Sequence, residues 1–179
     1  MKKHDHNSGN GQRQHKGMDP YAMFVFNMVL SLVVMYLVMF SMIDGWSDFR
    51  NNLNMFYMAV TMAAPMGVIM LITMPGMYRR TVLNLALYAV LALAFVAALA
   101  AIRQQSVIGD KQFIASMIPH HSGAILMCRE AGVRDAELIK LCDEITSSQR
   151  REIEQMNAIR ARLETRTGNS SVALTAPSR

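Results

Sequence analysis

Polar and apolar positions divide the chain into blocks of different kinds. Residues 1–17, MKKHDHNSGNGQRQHKG, contain no apolar run. From Tyr21 to Ile43 there is no charged residue, and that stretch is long enough to cross the hydrocarbon layer, which needs about 20 residues. Asp19-Pro20 just ahead of it reads as a helix start, with Asp as cap and Pro in the first turn. A polar turn, DGWSDFRNNLN, follows, with Trp46 suited to the membrane interface. A second apolar span runs over about 56–74 and carries Pro65, which should kink it. It closes at Pro75-Gly76. A third span, rich in Ala and Leu, covers about 82–102. Beyond Arg103 the period changes to two amphipathic helices.

Asp110 is the expected cap of the first of these helices and Gly132 its expected stop. Asp135 is the expected cap of the second, with Glu137 in its first turn, where a carboxylate suits the dipole. The second helix has an apolar stripe of Leu138, Leu141, Cys142, Ile145, Met156, Ile159 and Leu163, broken at Gln149 and Glu152. The first has Phe113, Met117, Ala124, Cys128 and Ala131, broken at His120 and His121. If Cys128 lies opposite Cys142 in an antiparallel pair, residues whose numbers sum to about 270 face each other. His121 then meets Gln149, and Met117 meets Ile153 with Glu152 and Met156 within a turn. The polar breaks coincide, so the pair holds either a hydrogen-bonded polar core or a metal site. Neighbouring histidines point about 100° apart, so His120 and His121 are expected to face different partners.

The expected fold is all-α: three transmembrane helices, then an antiparallel helical hairpin. Residues 1–19 form a disordered cytoplasmic tail, 20–103 the three-span anchor (about 21–43, 56–74 and 82–102), 107–164 the hairpin, and 165–179 a second disordered tail. Lys2, Lys3, Arg13 and Lys16 precede the first span, Arg50 alone separates the first two, and Arg79-Arg80 lie between the second and third. That bias puts the N-terminus in the cytoplasm and the hairpin on the far side of the membrane.

Composition sharpens the picture at two points. The chain has 179 residues, a net charge of +5 and only 17% charged residues, with no dense basic patch interleaved with aromatics, so nucleic acid is not an expected partner. Its 17 methionines stand out. Met55, Met58, Met62, Met66, Met70, Met74 and Met77 fall on one side of the second span, in an arc of roughly 160°. Met28, Met35, Met39 and Met42 form a narrower stripe on the first, roughly 60° wide. Such stripes read either as packing, because methionine fills irregular gaps, or as a thioether route for a soft cation such as Cu(I) or Ag(I). The route would use Met58, Met62, Met66, Met70 and Met74. His4, Asp5, His6 and His15 in the N-terminal tail read as solvated.

Candidate chemistry is densest between Asp110 and Ala131, where Met117, His120, His121, Met127 and Cys128 gather soft and borderline ligand types. A Cys128–Cys142 disulfide would close a loop of about 15 residues and contribute about 3 kcal/mol. Its place outside the cytoplasm favours it over two buried thiols or a thiolate metal site. No Glu-x-x-His motif of a di-iron helical bundle occurs, and no catalytic triad or phosphate-binding loop stands out. An enzyme is therefore not expected.

Residues Asp110, Phe113, Ile114, the MIPHH run from Met117 to His121, Ala124, Ile125, Met127, Cys128 and Ala131 carry a resemblance, as do Glu137, Leu138, Leu141, Cys142, Ile145, Gln149, Glu152, Ile153 and Met156. Over about residues 107–164 the chain resembles the domain-of-unknown-function 305 family. Its three-span front, with APMGVIM in the second span, is similar to membrane-anchored members. The resemblance implies a ferritin-like helical fold, here as a half-bundle that a second copy would complete, and so a homo-oligomer. Some relatives are periplasmic copper-binding proteins with Met and His ligands. Carried over, the ligands are Met117, His120, His121, Met127 and Met156, with Gln149 and Glu152 as nearby polar partners. The expected function is thus a multi-pass protein of the bacterial inner membrane, its C-terminal domain periplasmic. It would bind copper, or alternatively silver, for tolerance or for delivery to an unidentified metal-handling partner. The alternative is an anchored structural or interaction module without metal.

Overall fold

The structure is a computed structural model that describes residues 19–175, with side chains described as far as Arg166. The two expectations for the N-terminal tail, its disorder and its solvated histidines, lie outside the described residues.

Helix α1 spans Pro20–Val38 and begins as its sequence predicts: Asp19 Oδ1 accepts from Tyr21 N–H, and Pro20 takes the first turn. The last turn tightens into a 3-10 segment at Met39–Met42, and a second 3-10 turn covers Trp46–Asp48. Asn52 caps α2 (Leu53–Thr73), accepting from Met55 N–H. This cap starts α2 three residues before the expected span. Helix α3 runs over Thr81–Gln104. These three segments, 23, 21 and 24 residues long when α1 is taken to Met42, are long and apolar enough to cross a membrane.

The three helices meet through small residues. Ala59, Ala63, Ala64 and Gly67 are the buried positions along the middle of α2, and small side chains let helix backbones approach closely. At Gly67 an added Cβ would come within 3.0 Å of both Leu91 Cδ1 and Met28 Sδ, so α1 and α3 both press on this point. The α2–α3 end is closed by Phe24, Leu71 and Tyr78 and stitched by polar groups. Tyr21 Oη donates to Asn84 Oδ1 and accepts from Arg80 N–H, while Asn84 Nδ2 donates to the Tyr78 carbonyl. The opposite end holds the α1–α2 loop, and there Tyr57 Oη donates to the Ser106 carbonyl and Asn54 pairs with Gln105.

Helix α4 (Asp110–Glu130) follows a short linker and packs against α5 (Ala136–Thr175). The N-terminal cap of α4 differs from expectation. Gly109 stands at the N-cap without a side-chain bond, and Asp110 is the first helical residue, where its charge still favours the dipole. The helix ends at Glu130 with Ala131 extended, and a Val133 N–H to Ala131 O bond closes a tight turn centred on Gly132, the expected stop. Asp135 does cap α5, accepting from Leu138 N–H at 2.9 Å. Helix α5 continues past Leu163 into the stretch expected to be a tail. Arg160–Glu164 pairing one turn apart and a Thr165 hydroxyl bond to the Ala161 carbonyl carry the helix onward. Among the described residues the fold is entirely helical.

The buried face of α4 is also rotated from the expected stripe. Ile114, Ile118, His121, Ser122 and Ile125 are buried, whereas Phe113 is half exposed. The cause is that α4 is covered by two neighbours, α5 and the loop after α1, so its deepest positions face between them.

Candidate functional site

Serine 122 fixes α4 to the membrane helices. It is fully buried, its hydroxyl donates to Asp48 Oδ2 at 2.6 Å, and it accepts from Asp44 N–H at 2.7 Å. Two turns on, Arg129 pairs with Asp44 and with Glu130; these carboxylates, Glu130 first, hold the guanidinium proton more tightly than usual. Near the start of α4, Gln112 Oε1 accepts from Leu53 N–H at 3.0 Å. Gly123 lies so close to the end of α1 that an added Cβ would be 3.1 Å from the Met42 carbonyl oxygen.

This seating encloses an open cavity of 680 Å³ between α4 and the hairpin-side ends of the membrane helices. Met39 and Met42 of the 3-10 segment and Met55 and Met58 of α2 line it, and Met117, His120 and Met127 line it from α4. Helical spacing explains the set on α4, because residues 117, 120, 124 and 127 repeat on one face. The ligand types found in the sequence therefore divide. Met117, His120 and Met127 face the cavity. His121 lies on another side, 8% exposed, with Nδ1 3.0 Å from Glu152 Oε2. That contact is close but not aligned as a hydrogen bond. Ser148 holds Glu152 from one turn earlier, donating to Oε1 at 2.8 Å. Met156 is half-buried on α5 and is not among the residues lining the cavity.

With Cys128 beside Cys142 as the register assumed, His121 reaches a partner one turn along α5 from the one expected opposite it. His121 meets Glu152 rather than Gln149, whose Oε1 is buried without a hydrogen-bond partner. Gln149 and Glu152 are three residues apart on one helical face, so spacing alone did not separate them. The separation of His120 from His121 is as the 100° rule requires; their ring centroids are 6.0 Å apart.

The membrane methionines divide as well. Met70 Sδ accepts from Tyr78 Oη at 3.5 Å, and Met28 packs against the Phe24, Leu71, Tyr78 cluster. Met62 and Met74 are half exposed on the side of the bundle, and Met66 is partly buried. Of the residues expected to form a route, Met58 alone joins the cavity. Met39, Met42 and Met55 were visible in the sequence as stripe members but not as partners of α4. The signal that unites them is the short linker after α3, which forces α4 down onto the span ends.

Cys128 and Cys142 are neighbours across α4 and α5, as the expected disulfide requires, with no bond between them in this structure. The hydrogen bond to Cys142, then burial and the nearby Asp143 carboxylate, pushes the Cys128 thiol above its ordinary range. Among the described residues, no three His, Cys, Asp or Glu side chains converge as a metal centre. The donors that do converge at the cavity are six thioethers and one imidazole, beside the side chains of Asn52, Asn54, Gln105 and Ser116; thioethers suit soft ions.

The family model described as domain of unknown function 305 matches residues 91–160, reaching back into α3. An uncharacterised protein of Acanthamoeba polyphaga mimivirus is 34% identical over 144 residues, covering 77% of this chain and 91% of its own length. An alignment of that length exceeds the chain from α4 onward, so the similarity includes part of the apolar helices as well. No solved structure matches the chain. With the matched segment carrying the Met117–His121 run and both cavity-facing and α5-facing sides of α4, the chain belongs to the domain-of-unknown-function 305 family.

Proposed function

We propose that this protein is a membrane-anchored metal-binding protein that holds a soft monovalent cation, copper(I) or silver(I), outside the cytoplasm. The observation that carries this reading is the single cavity in which four methionines of the membrane helices meet Met117, Met127 and His120 of α4. Thioethers are neutral and polarisable, so they favour soft ions over zinc, magnesium or calcium. The oxygen-bearing side chains that also line the cavity are engaged with each other or with backbone: Asn52 accepts from Met55 N–H, Asn54 pairs with Gln105, and Ser116 donates to the Phe113 carbonyl. Among the described residues, six methionines and no carboxylate line the space. A bound copper or silver ion would be stored or passed on without a change at this chain's own residues, which fits tolerance or delivery rather than turnover.

The basic Arg79-Arg80 turn is at the end of the helical bundle opposite the hairpin, as the Tyr21–Arg80 and Tyr57–Ser106 bonds show. The positive-inside bias then puts the hairpin on the outer face of a bacterial plasma membrane. His121, Glu152 and Gln149 belong to the packing of α4 on α5 in this reading. A second copy pairing with the hairpin remains part of the proposal, as does the metal-handling partner that would receive the ion.

The test is a titration of the full chain in detergent with Cu(I), Ag(I), Cu(II) and Zn(II), beside a Met117→Leu/His120→Ala/Met127→Leu variant. Tight Cu(I) or Ag(I) binding that the folded variant loses supports the reading. Equal binding by both proteins would put the metal outside this cavity and overturn the reading, and binding by neither leaves an anchored interaction module.

A further inference from the structure

At the hairpin-side end of the first span, two apolar grooves lie side by side and share Leu37. Phe40, Ile43, Trp46 and Phe49 line the first, a space of about 550 Å³. Val33, Tyr36, Leu53 and Phe56 line the second, of about 430 Å³. A row of rings joins them: Phe40 packs on Tyr36 and on Phe49, with centroids 5.4 Å and 4.2 Å apart. Tyr36 Oη donates to Asn51 Oδ1 and accepts from Asn52 N–H, which ties the second groove to the start of α2. Val33, Leu37 and Phe56 are exposed on membrane-length helices, so the grooves open toward lipid. Trp46, 87% exposed just past the span, suits the level of the membrane interface.

One cation stands between the grooves in sequence. Arg50 follows Phe49 of the first and precedes Asn51 of the second. Its Nη1 donates to the Ser47 and Phe49 carbonyls at 2.6 and 2.8 Å, and its Nε is buried without a hydrogen-bond partner. Among the described residues no carboxylate pairs with it. The acids of the same loop are engaged with α4: Asp44 pairs with Arg129, and Asp48 accepts from Ser122. A half-buried charge calls for a counter-ion.

We infer that this end of the bundle binds one anionic diacyl phospholipid, with an acyl chain in each groove and the phosphate diester on Arg50. Two apolar grooves and one unmatched cation correspond to two chains and one negative charge. A guanidinium suits phosphate through paired N–H bonds, and basic groups among membrane helices recognise lipid headgroups. The headgroup is anionic because a zwitterionic one would bring a second cation to Arg50. Bound there, the lipid braces the loop on which Ser122 of α4 rests. The site depends neither on a metal in the methionine cavity nor on which side of the membrane the hairpin occupies.

The experiment uses the full chain in detergent, stripped of lipid, with retained lipid read by native mass spectrometry. The probes are phosphatidylglycerol, phosphatidylcholine and single-chain lysophosphatidylglycerol. The parent is expected to retain one phosphatidylglycerol, and each of the other two about tenfold more weakly, as loss of one charge-assisted bond or one buried chain segment requires. Arg50→Gln should lower phosphatidylglycerol retention to the phosphatidylcholine level, and Arg50→Lys should restore part of it. Val33→Trp fills the second groove from an exposed position and should lower phosphatidylglycerol retention to that of the single-chain lipid. Circular dichroism reports whether each variant is folded, and the three-lipid comparison on the parent decides the matter even where a variant is not. No adduct on the parent, equal retention of phosphatidylglycerol and phosphatidylcholine, or parental retention in a folded Arg50→Gln would overturn the site. Equal retention of the two-chain and single-chain lipids would leave one groove without a role and likewise overturn it.

Discussion

His120 and His121 are adjacent in sequence and differ in almost everything else. His120 is exposed to the cavity, and His121 is buried against Glu152. Their substitutions should therefore separate binding from stability. His120→Ala, with Met117→Leu, is expected to cost the soft-metal affinity while changing stability by less than about 0.5 kcal/mol, as surface replacements usually do. His121→Ala should destabilise the hairpin by about 2 kcal/mol, chiefly through lost packing, since Glu152 is 46% exposed and its half of the pair is screened by solvent. Thermal unfolding followed by circular dichroism, beside silver titration, reads both. A His121→Ala protein as stable as the parent would remove the packing role assigned here. Ser122 was not singled out by its sequence context, because a serine in a helix usually bonds its own backbone or water. Only the fold brings it to Asp44 and Asp48, some 75 positions earlier in the chain.

At the scale of elements, the seat of α4 on the end of α1 controls whether the cavity exists. Gly123 leaves room for the Met42 carbonyl, and a backbone oxygen cannot swing aside as a side chain can. Gly123→Ala is expected to push α4 outward and weaken silver binding with every ligand still present. Unchanged affinity in that variant would mean the seat has slack. Ser122→Ala should loosen the same contact, leaving Asp44 N–H without its partner at a cost of about 1–3 kcal/mol. Faster amide exchange in residues 44–48 would report it. The linker before α4 carries its own strain: Gln105 and Val107 have φ of 49° and 62°. For a β-branched residue that conformation costs roughly 1–2 kcal/mol. Val107 is exposed, so Val107→Gly should raise the unfolding temperature of the hairpin despite glycine's greater chain entropy.

For the whole molecule, the site belongs neither to the membrane helices nor to the hairpin alone. Four of the sulfurs that line the cavity come from the end of the first span and from α2, and two with an imidazole come from α4. A hairpin fragment of residues 104–166 should fold around its own apolar stripe yet bind silver at least about tenfold more weakly than the full chain, because ligands held in one assembly act at high effective concentration. The comparison is made in a Cys128→Ser/Cys142→Ser background, so that the thiol pair does not contribute. Equal affinity in fragment and full chain would place the site within the hairpin and remove the membrane methionines from it.

The sequence by itself determined much of this protein. Uncharged runs of about 20 residues, the Asp19-Pro20 and Asp135 helix starts, and the change of period after Arg103 specified an all-helical chain with three membrane-length helices. These are local properties, set by hydropathy, capping and periodicity along one segment. The clustering of Met117, His120 and Met127 was equally legible. Which of the neighbouring residues shared a site with them was decided only by the tertiary structure. A helix presents every side chain to some direction, and spacing cannot say which direction meets which neighbour. His121 and Glu152 went to the α4–α5 contact, Met117 and His120 to the cavity, and Met39, Met42, Met55 and Met58 came in from helices distant in the chain. The short linker and the buried Ser122 contact brought those parts together, and their effect is long-range by nature.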